Sequence, residues 1–599
     1  MNEGATLTRA YEQTGWDLSG LVSDPSPEAM KARFDELEAS VRDLEARRGE
    51  LTEAMEPALF LDFLRRYEDF QEKLNALEGY GFLRFAADTQ SDEALSLRNQ
   101  VEQLVTDLDN RILFFEIWWK SLPEEASRRL TPSGAEEADY RHFLEERRRW
   151  RPFTLAEESE RIINLKDANG IGGLVTLYSI LTNRLEFEIE VDGEHQTLTR
   201  DALMSHAYSP RPEVRAATYR ELYRVFSKET TPLSQIYIHR VRDWYSENVT
   251  LRGFDSPIAV RNLRNDAPSQ AVDALLSATR KNRHLFQRFF RLKARWLGME
   301  KLRRCDLYAP LVESSRQISW DDAVQQVLAT FRDFHPRLGT LAERVFAENH
   351  IDSEVRKGKR GGAFCSTVSP SFTPWVLVNF TGRPRDLTEI AHEMGHAVHS
   401  MLAEDHSVLT QHPCLPLAET ASVFAEMLMM ERLLEGETDP ATRRELLAKN
   451  VIDIFATVLR QTYFVAFELE AHQAILEGKS QTELNALYMA NLEEQFGDSV
   501  ELSPEFRHEW VTIPHIFHTP FYCYSYSLGQ LLVLSLYRRY QQEGEAFKPG
   551  YLRMLAHGGS ERTQAILEEA EIDITDPAFW QSGFEIVRDM VEELEELDL

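Results

Sequence analysis

The stretch His392-Glu393-Met394-Gly395-His396 constrains this chain more tightly than any other. It reads H-E-x-x-H. On an α-helix, residues four apart share a face, with Cβ atoms about 5–6 Å apart. Two imidazoles at that spacing can converge on one Zn²⁺, with bonds of about 2.0–2.1 Å each. Glu393 is one residue on and turned off the metal axis, so it is placed to take a proton from water. That is the layout of metal-assisted hydrolysis. The five residues alone also recur by chance, as two surface histidines on an amphipathic helix, so the context decides.

The context expects a helix. Asp386 followed by Glu389 reads as an acidic N-cap with its capping-box partner, and Pro384 suits a helix entrance. Ile390, Met394, Ala397 and Met401 form one apolar stripe at helical spacing, with the histidines on a neighbouring face. A second helix is expected over Leu417 to Glu426. In it Glu419 and Glu426 are seven apart and share a face. A carboxylate from this helix would complete a His₂Glu site and leave one position open for water. The flanking Leu417, Ala418, Ala421, Val423, Phe424 and Ala425 are apolar, and a glutamate in such company is more often paired or metal-bound than solvated. The metzincin pattern fails, because it needs glycine at 399 and histidine at 402 and this chain has His399 and Leu402. His399 reads as an ordinary polar helix residue. His406 and His412, in the loop between the helices, are weaker ligand candidates than Glu419.

Just upstream, Phe364 to Val368 and Trp375 to Phe380 read as two short strands around a turn at Ser371–Pro374. An exposed edge there could bind an extended peptide by strand addition. Further on, Tyr522, Tyr524 and Tyr526 alternate. From residue type alone that cluster reads as core packing.

At 599 residues the chain is too long for one simple core, and two or more domains are expected. A formal net charge of −31 argues against a nucleic-acid partner. The four cysteines, Cys305, Cys365, Cys414 and Cys523, are scattered, which points to a reducing compartment without a disulfide scaffold. No secretory leader and no run of 18 apolar residues is visible, so no membrane span is expected, and the location reads as cytoplasmic. Most of the chain has helical periodicity. Pro27 to Met55 and Leu95 to Leu122 read as long amphipathic helices, the second ending in an apolar patch from Ile112 to Trp119. The acidic end, Val591 to Leu599, reads as a solvated helix terminus. One β feature interrupts the front half: Leu185, Phe187, Ile189 and Val191 alternate, and Asp192-Gly193 offers a hairpin turn. A soft boundary is placed near residue 200, dividing an N-terminal helical domain (1–200) from a larger catalytic domain (201–599).

"HEMGHAVHS" followed by "LAETASVFAEML" resembles the M3 family of zinc metallopeptidases, and within it the oligoendopeptidase F group. "PHIFHTPFYCYSYSLGQ" (Pro514 to Gln530), "GWDLSGL" and "GGAFCSTVSPSFTPWVLVNFTG" extend the resemblance to nearly the whole chain. It implies a mainly α, zincin-type fold with a helical N-terminal domain and a small β-sheet near the active site. It implies that His392, His396 and Glu419 bind one Zn²⁺ per chain, although cobalt or manganese also suits such a site. Glu393 would be the general base, with Glu426 behind the ligands. His515, Tyr522 and Tyr526 would donate hydrogen bonds to substrate and transition state, with His518 and Tyr524 as substitutes. Other branches insert glycines where this chain has Thr519-Pro520-Phe521. The implied activity is hydrolysis of internal bonds in short unstructured peptides by a metal-activated water, at a site deep between the domains. The alternatives are a carboxypeptidase or dipeptidyl carboxypeptidase on the same scaffold, or a non-catalytic helical peptide binder that retains a metal site.

Overall fold

The computed structural model describes residues 11–134, 137–311 and 317–598. Helices dominate. Among the described residues seven short strands interrupt them: β1 (Phe187–Val191), β2 (Glu194–Leu198), β3 (Leu302–Arg303), β4 (Ile351–Asp352), β5 (Phe364–Ser366), β6 (Trp375–Leu377) and β7 (Val500–Glu501). The chain divides into two compact units. One comprises Met1–Pro152, Ser315–Leu433 and Glu543–Glu571; the other Phe153–Ser314, Leu434–Gln542 and Ile572–Leu599.

The first unit opens with three helices, α1 (Pro27–Ala46), α2 (Pro57–Ala87) and α3 (Asp92–Ser121). Ser26 and Ser91 cap α1 and α3 by accepting the backbone N–H three residues on. The first helix is shorter than expected: it stops at Ala46, and a tight turn over Arg48–Glu50 leads towards α2. The apolar patch at the end of α3 splits by helical face. Ile112, Phe115 and Trp119 are buried, while Leu113 and Ile117 are exposed. Trp119 stacks on Phe60 of α2 at 5.3 Å between ring centroids. Val368 and Trp375, from the segment around β5 and β6, join this same core.

β4, β6 and β5 form a three-stranded sheet in that order, with β4 parallel and β5 antiparallel to β6. β5 is therefore an edge strand, as is β4 on the other side. Both strands around the Ser371–Pro374 turn exist, but shorter than expected, and β4 was not foreseen. A fully buried pair, Lys359 and Asp352, sits against the sheet at 2.8 Å. The Lys359 ammonium also donates to the carbonyls of Asp352, Glu354 and Val378, which fixes the loop before β5.

In the second unit, β1 and β2 form the expected hairpin, in register from Phe187 opposite Leu198 to Val191 opposite Glu194. Asp192 (φ 56°) and Gly193 (φ 80°) both take left-handed conformations, as a tight two-residue turn requires. Phe187 and Ile189 point inward, and Phe187 meets Phe226 of the helix Pro212–Trp244. The hairpin ending at Leu198 buries its apolar face on the helix that follows it. Among the described residues, no helix is long and apolar enough to cross a membrane. No disulfide is formed among the described residues.

Candidate active site

The motif helix, α4 (Pro384–Leu402), begins two residues before Asp386. Asp386 is therefore not the N-cap. It sits in the first turn and reaches back, its Oδ2 accepting the N–H groups of Thr381 (2.7 Å) and Arg383 (3.1 Å). Pro384 explains the shift: at the first helical position its missing N–H costs nothing. Ile390, Met394, Ala397 and Met401 form the buried stripe as expected.

The second helix is not continuous. A short turn over Leu415–Ala418 ends, Glu419 stands at the junction, and α5 runs from Thr420 to Glu435. α4 and α5 approach very closely at Gly395. A Cβ added there would lie 2.5 Å from the Ser422 Cα and 2.6 Å from the Ala421 carbonyl oxygen. Only glycine permits this contact, and it brings Glu419 against the two histidines.

His392 Nε2 and His396 Nε2 lie 3.2 Å apart, and Glu419 Oε2 lies 3.5 Å and 3.4 Å from them. Bonds of about 2.0–2.1 Å to one tetrahedral cation would separate its ligands by roughly 3.3 Å. The three atoms thus match three corners of such a shell. Glu426 Oε1 hydrogen-bonds Nδ1 of His392, which turns Nε2 towards the other two ligand atoms. Ser422 Oγ donates to Glu419 Oε2 at 2.8 Å and fixes that carboxylate.

The electrostatics favour a positive charge at this point. Burial works against protonation of His392, yet Glu426, Glu393 and Glu419 raise its pKa to about 9. Burial likewise opposes ionisation of Glu419, but the two histidines and Ser422 lower its pKa to about 2. Glu393 is buried, and desolvation holds its carboxyl above the ordinary range against the pull of both histidines. A carboxylate with raised proton affinity suits a base that must also give its proton back.

Glu393 and His396 line a cavity of about 510 Å³ together with Phe364, Cys365 and Thr367 around β5. Thr367 and Ser400 hydroxyls hydrogen-bond at 2.5 Å and tie this edge to α4. His399 is fully buried and hydrogen-bonded to backbone at Ala418 and Leu555, so it supports the helix packing. His406 is taken up by Asp139 and the Ala556 carbonyl, at 3.0 Å each. His412 lines the cavity and is not among the clustered ligand atoms.

His515, Tyr522 and Tyr526 come together in the second unit. His515 and Tyr522 lie nearly parallel at 6.1 Å, and Tyr526 stands edge-on to Tyr522 at 5.2 Å. The Tyr526 hydroxyl is 3.5 Å from His515 Nε2. Of the substitutes, Tyr524 is fully buried, and His518 is engaged with Ser179 at 3.1 Å. Tyr526 is 37% exposed. Sequence reasoning missed the close contact at Gly395, for which the only signal was a glycine inside a helical motif. It also missed Phe521, which bends this segment with φ 58°.

The profile of peptidase family M3 matches residues 205–586, and that of oligopeptidase F matches residues 118–187. The chain belongs to peptidase family M3. Among its curated relatives, oligopeptidase PepF of Bacillus subtilis is 24% identical over 97% of this chain and 87% of its own length. The group B oligopeptidase PepB of Streptococcus agalactiae is 25% identical over 98% and 97%. In fold, the chain is similar to the oligoendopeptidase-F of Enterococcus faecium, with a TM-score of 0.71 at 22% identity over 95% of this chain and 99% of that one. As a member of M3 it is a metallopeptidase, a hydrolase of peptide bonds that works with a catalytic metal.

Proposed function

We propose that this M3 peptidase is a zinc oligoendopeptidase that cleaves internal bonds of short peptides, with His392, His396 and Glu419 holding one Zn²⁺ and Glu393 as general base. The observation that carries the reading is the near-equilateral triangle of His392 Nε2, His396 Nε2 and Glu419 Oε2 beside a buried Glu393. When bound, the metal supplies Lewis acidity, which acidifies water and polarises a carbonyl. Glu393 takes the proton as the water oxygen attacks the peptide carbonyl carbon. It then delivers that proton to the amide nitrogen as the C–N bond breaks. Glu426 keeps the His392 ring oriented through Nδ1. The free edge of β5 offers backbone groups to an extended peptide, a mode that tolerates many side chains. His515, Tyr522 and Tyr526 are the hydrogen-bond donors to substrate, and the Tyr526 hydroxyl serves the developing oxyanion.

The relatives named oligopeptidases and oligoendopeptidases support the preference for short peptides and internal bonds. The two profile matches support a peptidase domain over 201–599, preceded by an N-terminal domain over 1–200. Few, scattered cysteines support a reducing, cytoplasmic setting.

The test is turnover of an internally quenched fluorogenic peptide, with metal content measured alongside. Glu393→Gln should keep its metal and lose turnover by more than about 10³-fold. Glu419→Ala should lose the metal. Chelator should abolish activity and Zn²⁺ restore it; turnover indifferent to chelator would overturn the reading. An endopeptidase should also cleave a C-terminally amidated peptide as well as the free acid.

A further inference from the structure

Under the segment that carries His515, Tyr522 and Tyr526 lies a buried polar cluster with no part in the hydrolytic chemistry. Glu468 and His472, on the helix Arg460–Leu476, are 0% and 3% exposed. Glu468 Oε1 accepts the backbone N–H of Phe521 at 2.8 Å. Its other oxygen, both ring nitrogens of His472 and the hydroxyl of the fully buried Tyr237 have no hydrogen-bond partner among the described residues. The His472 ring packs against Phe521 at 4.6 Å.

Phe521 is where the segment turns. A bulky residue with φ 58° is a genuine outlier, and such a conformation persists only when its surroundings over-determine it. Here they do. Arg261 Nε donates to the Pro520 carbonyl at 3.4 Å, and Arg240 Nε to the Phe517 carbonyl at 3.2 Å. Asn265 holds Ser525 at 2.8 Å. These groups hold carbonyls and a hydroxyl; Glu468 holds the N–H at the bend itself. The turn joins the short helix Pro514–His518 to the helix Tyr524–Glu543. His515 lies before it and Tyr526 after it. The parallel stack of His515 on Tyr522 and the edge-on approach of Tyr526 both depend on the turn keeping its shape.

We propose that Glu468 is a positioning residue for the Tyr522–Tyr526 pair, locking the left-handed turn at Phe521 through its amide. This rests on the reading of Tyr526 as the oxyanion donor. Burial pushes the Glu468 carboxyl up to about 8, against the pull of the Phe521 N–H, Arg261 and Arg240. The carboxyl oxygen accepts an N–H whether the group is neutral or ionised, so an amide in its place should serve.

Glu468→Gln, which keeps an acceptor, should retain kcat within about threefold, while Glu468→Leu should lose about 10–100-fold in kcat with KM nearly unchanged and metal content intact. A merely structural role would not give that split. If Glu468 acts through Tyr526, the two losses are not additive: Glu468→Leu combined with Tyr526→Phe should fall within about threefold of Tyr526→Phe alone. Two variants that leave Glu468 in place read the turn directly. Phe521→Gly should exceed Phe521→Ala in kcat by about fivefold or more, because glycine takes the left-handed conformation freely. Losses that multiply, a folded Glu468→Leu with wild-type kcat, or equal rates for the two Phe521 variants would overturn the proposal. Wild-type turnover by Tyr526→Phe would overturn the donor reading and the proposal with it. Chelator-sensitive activity would still stand in that case, so the two failures are distinguishable.

Discussion

Gly395 in α4 faces the backbone of Ser422 in α5 so closely that a methyl group would sit 2.5 Å from the Ser422 Cα. The contact is backbone on backbone, so no side chain can swing away to make room. Gly395→Ala should therefore force the helices apart, at a cost of about 1–3 kcal/mol. The displacement falls on Glu419, three residues before Ser422, the carboxylate proposed to bind the cation. Metal affinity should drop at least about tenfold, and a competition titration with a chromophoric chelator measures it. Unchanged affinity would mean that α5 can shift without moving Glu419.

Glu426 acts on His392 from the side away from Glu419. Glu426→Ala removes the acceptor that orients the ring, and metal affinity should fall by about 10–100-fold. Glu426→Gln retains a carbonyl acceptor and should lose less. Equal losses in the two variants would show that the negative charge, rather than the orientation of the ring, is what matters.

Much of this site was legible because helical spacing is rigid. Two histidines four apart must share a face, and a glutamate among Leu417, Ala418 and Ala421 needed a partner. The break at Glu419 was not legible, because Leu417 to Glu426 is apolar enough to read as one helix. Nor was the start of α4: Asp386 has the chemistry of an N-cap, but Pro384 takes the first helical position ahead of it. The hairpin at Asp192-Gly193 was readable from its turn residues, whereas the two compact units were not. Each is assembled from three separated stretches of chain, and local periodicity carries no record of which stretches meet. The tyrosines show the same limit. Alternation alone cannot tell that Tyr524 is buried while Tyr526 is 37% exposed, because that follows from where the helix Tyr524–Glu543 begins and what it packs on.

Cys365 lines the same cavity as Glu393, yet its thiol should be a poor nucleophile. Burial, reinforced by the nearby Glu393 carboxylate, pushes its pKa well above the ordinary value. Reactivity follows the thiolate fraction. Iodoacetamide at neutral pH should therefore leave activity intact over times that alkylate a free cysteine completely. Rapid inactivation, with Cys365 as the alkylated residue by mass spectrometry, would contradict this.

His472 should set part of the acid sensitivity of the fold. Burial, with Arg240 nearby, lowers its pKa from 6.5 to about 3. Above pH 6.5 the ring is neutral whether the chain is folded or unfolded, and its contribution is fully present. As pH falls below 6.5 the unfolded chain binds a proton that the folded chain refuses. Stability should then decline by up to about 1.4 kcal/mol per pH unit, levelling off only near pH 3. Neighbouring Glu468 works the other way over part of this range, because its folded carboxyl keeps its proton up to about pH 8. The difference between wild type and His472→Phe isolates the histidine. Melting temperatures measured from pH 7 to pH 4.5 should show the variant losing less stability than wild type at every step, and parallel curves would mean that His472 takes up its proton in the folded protein.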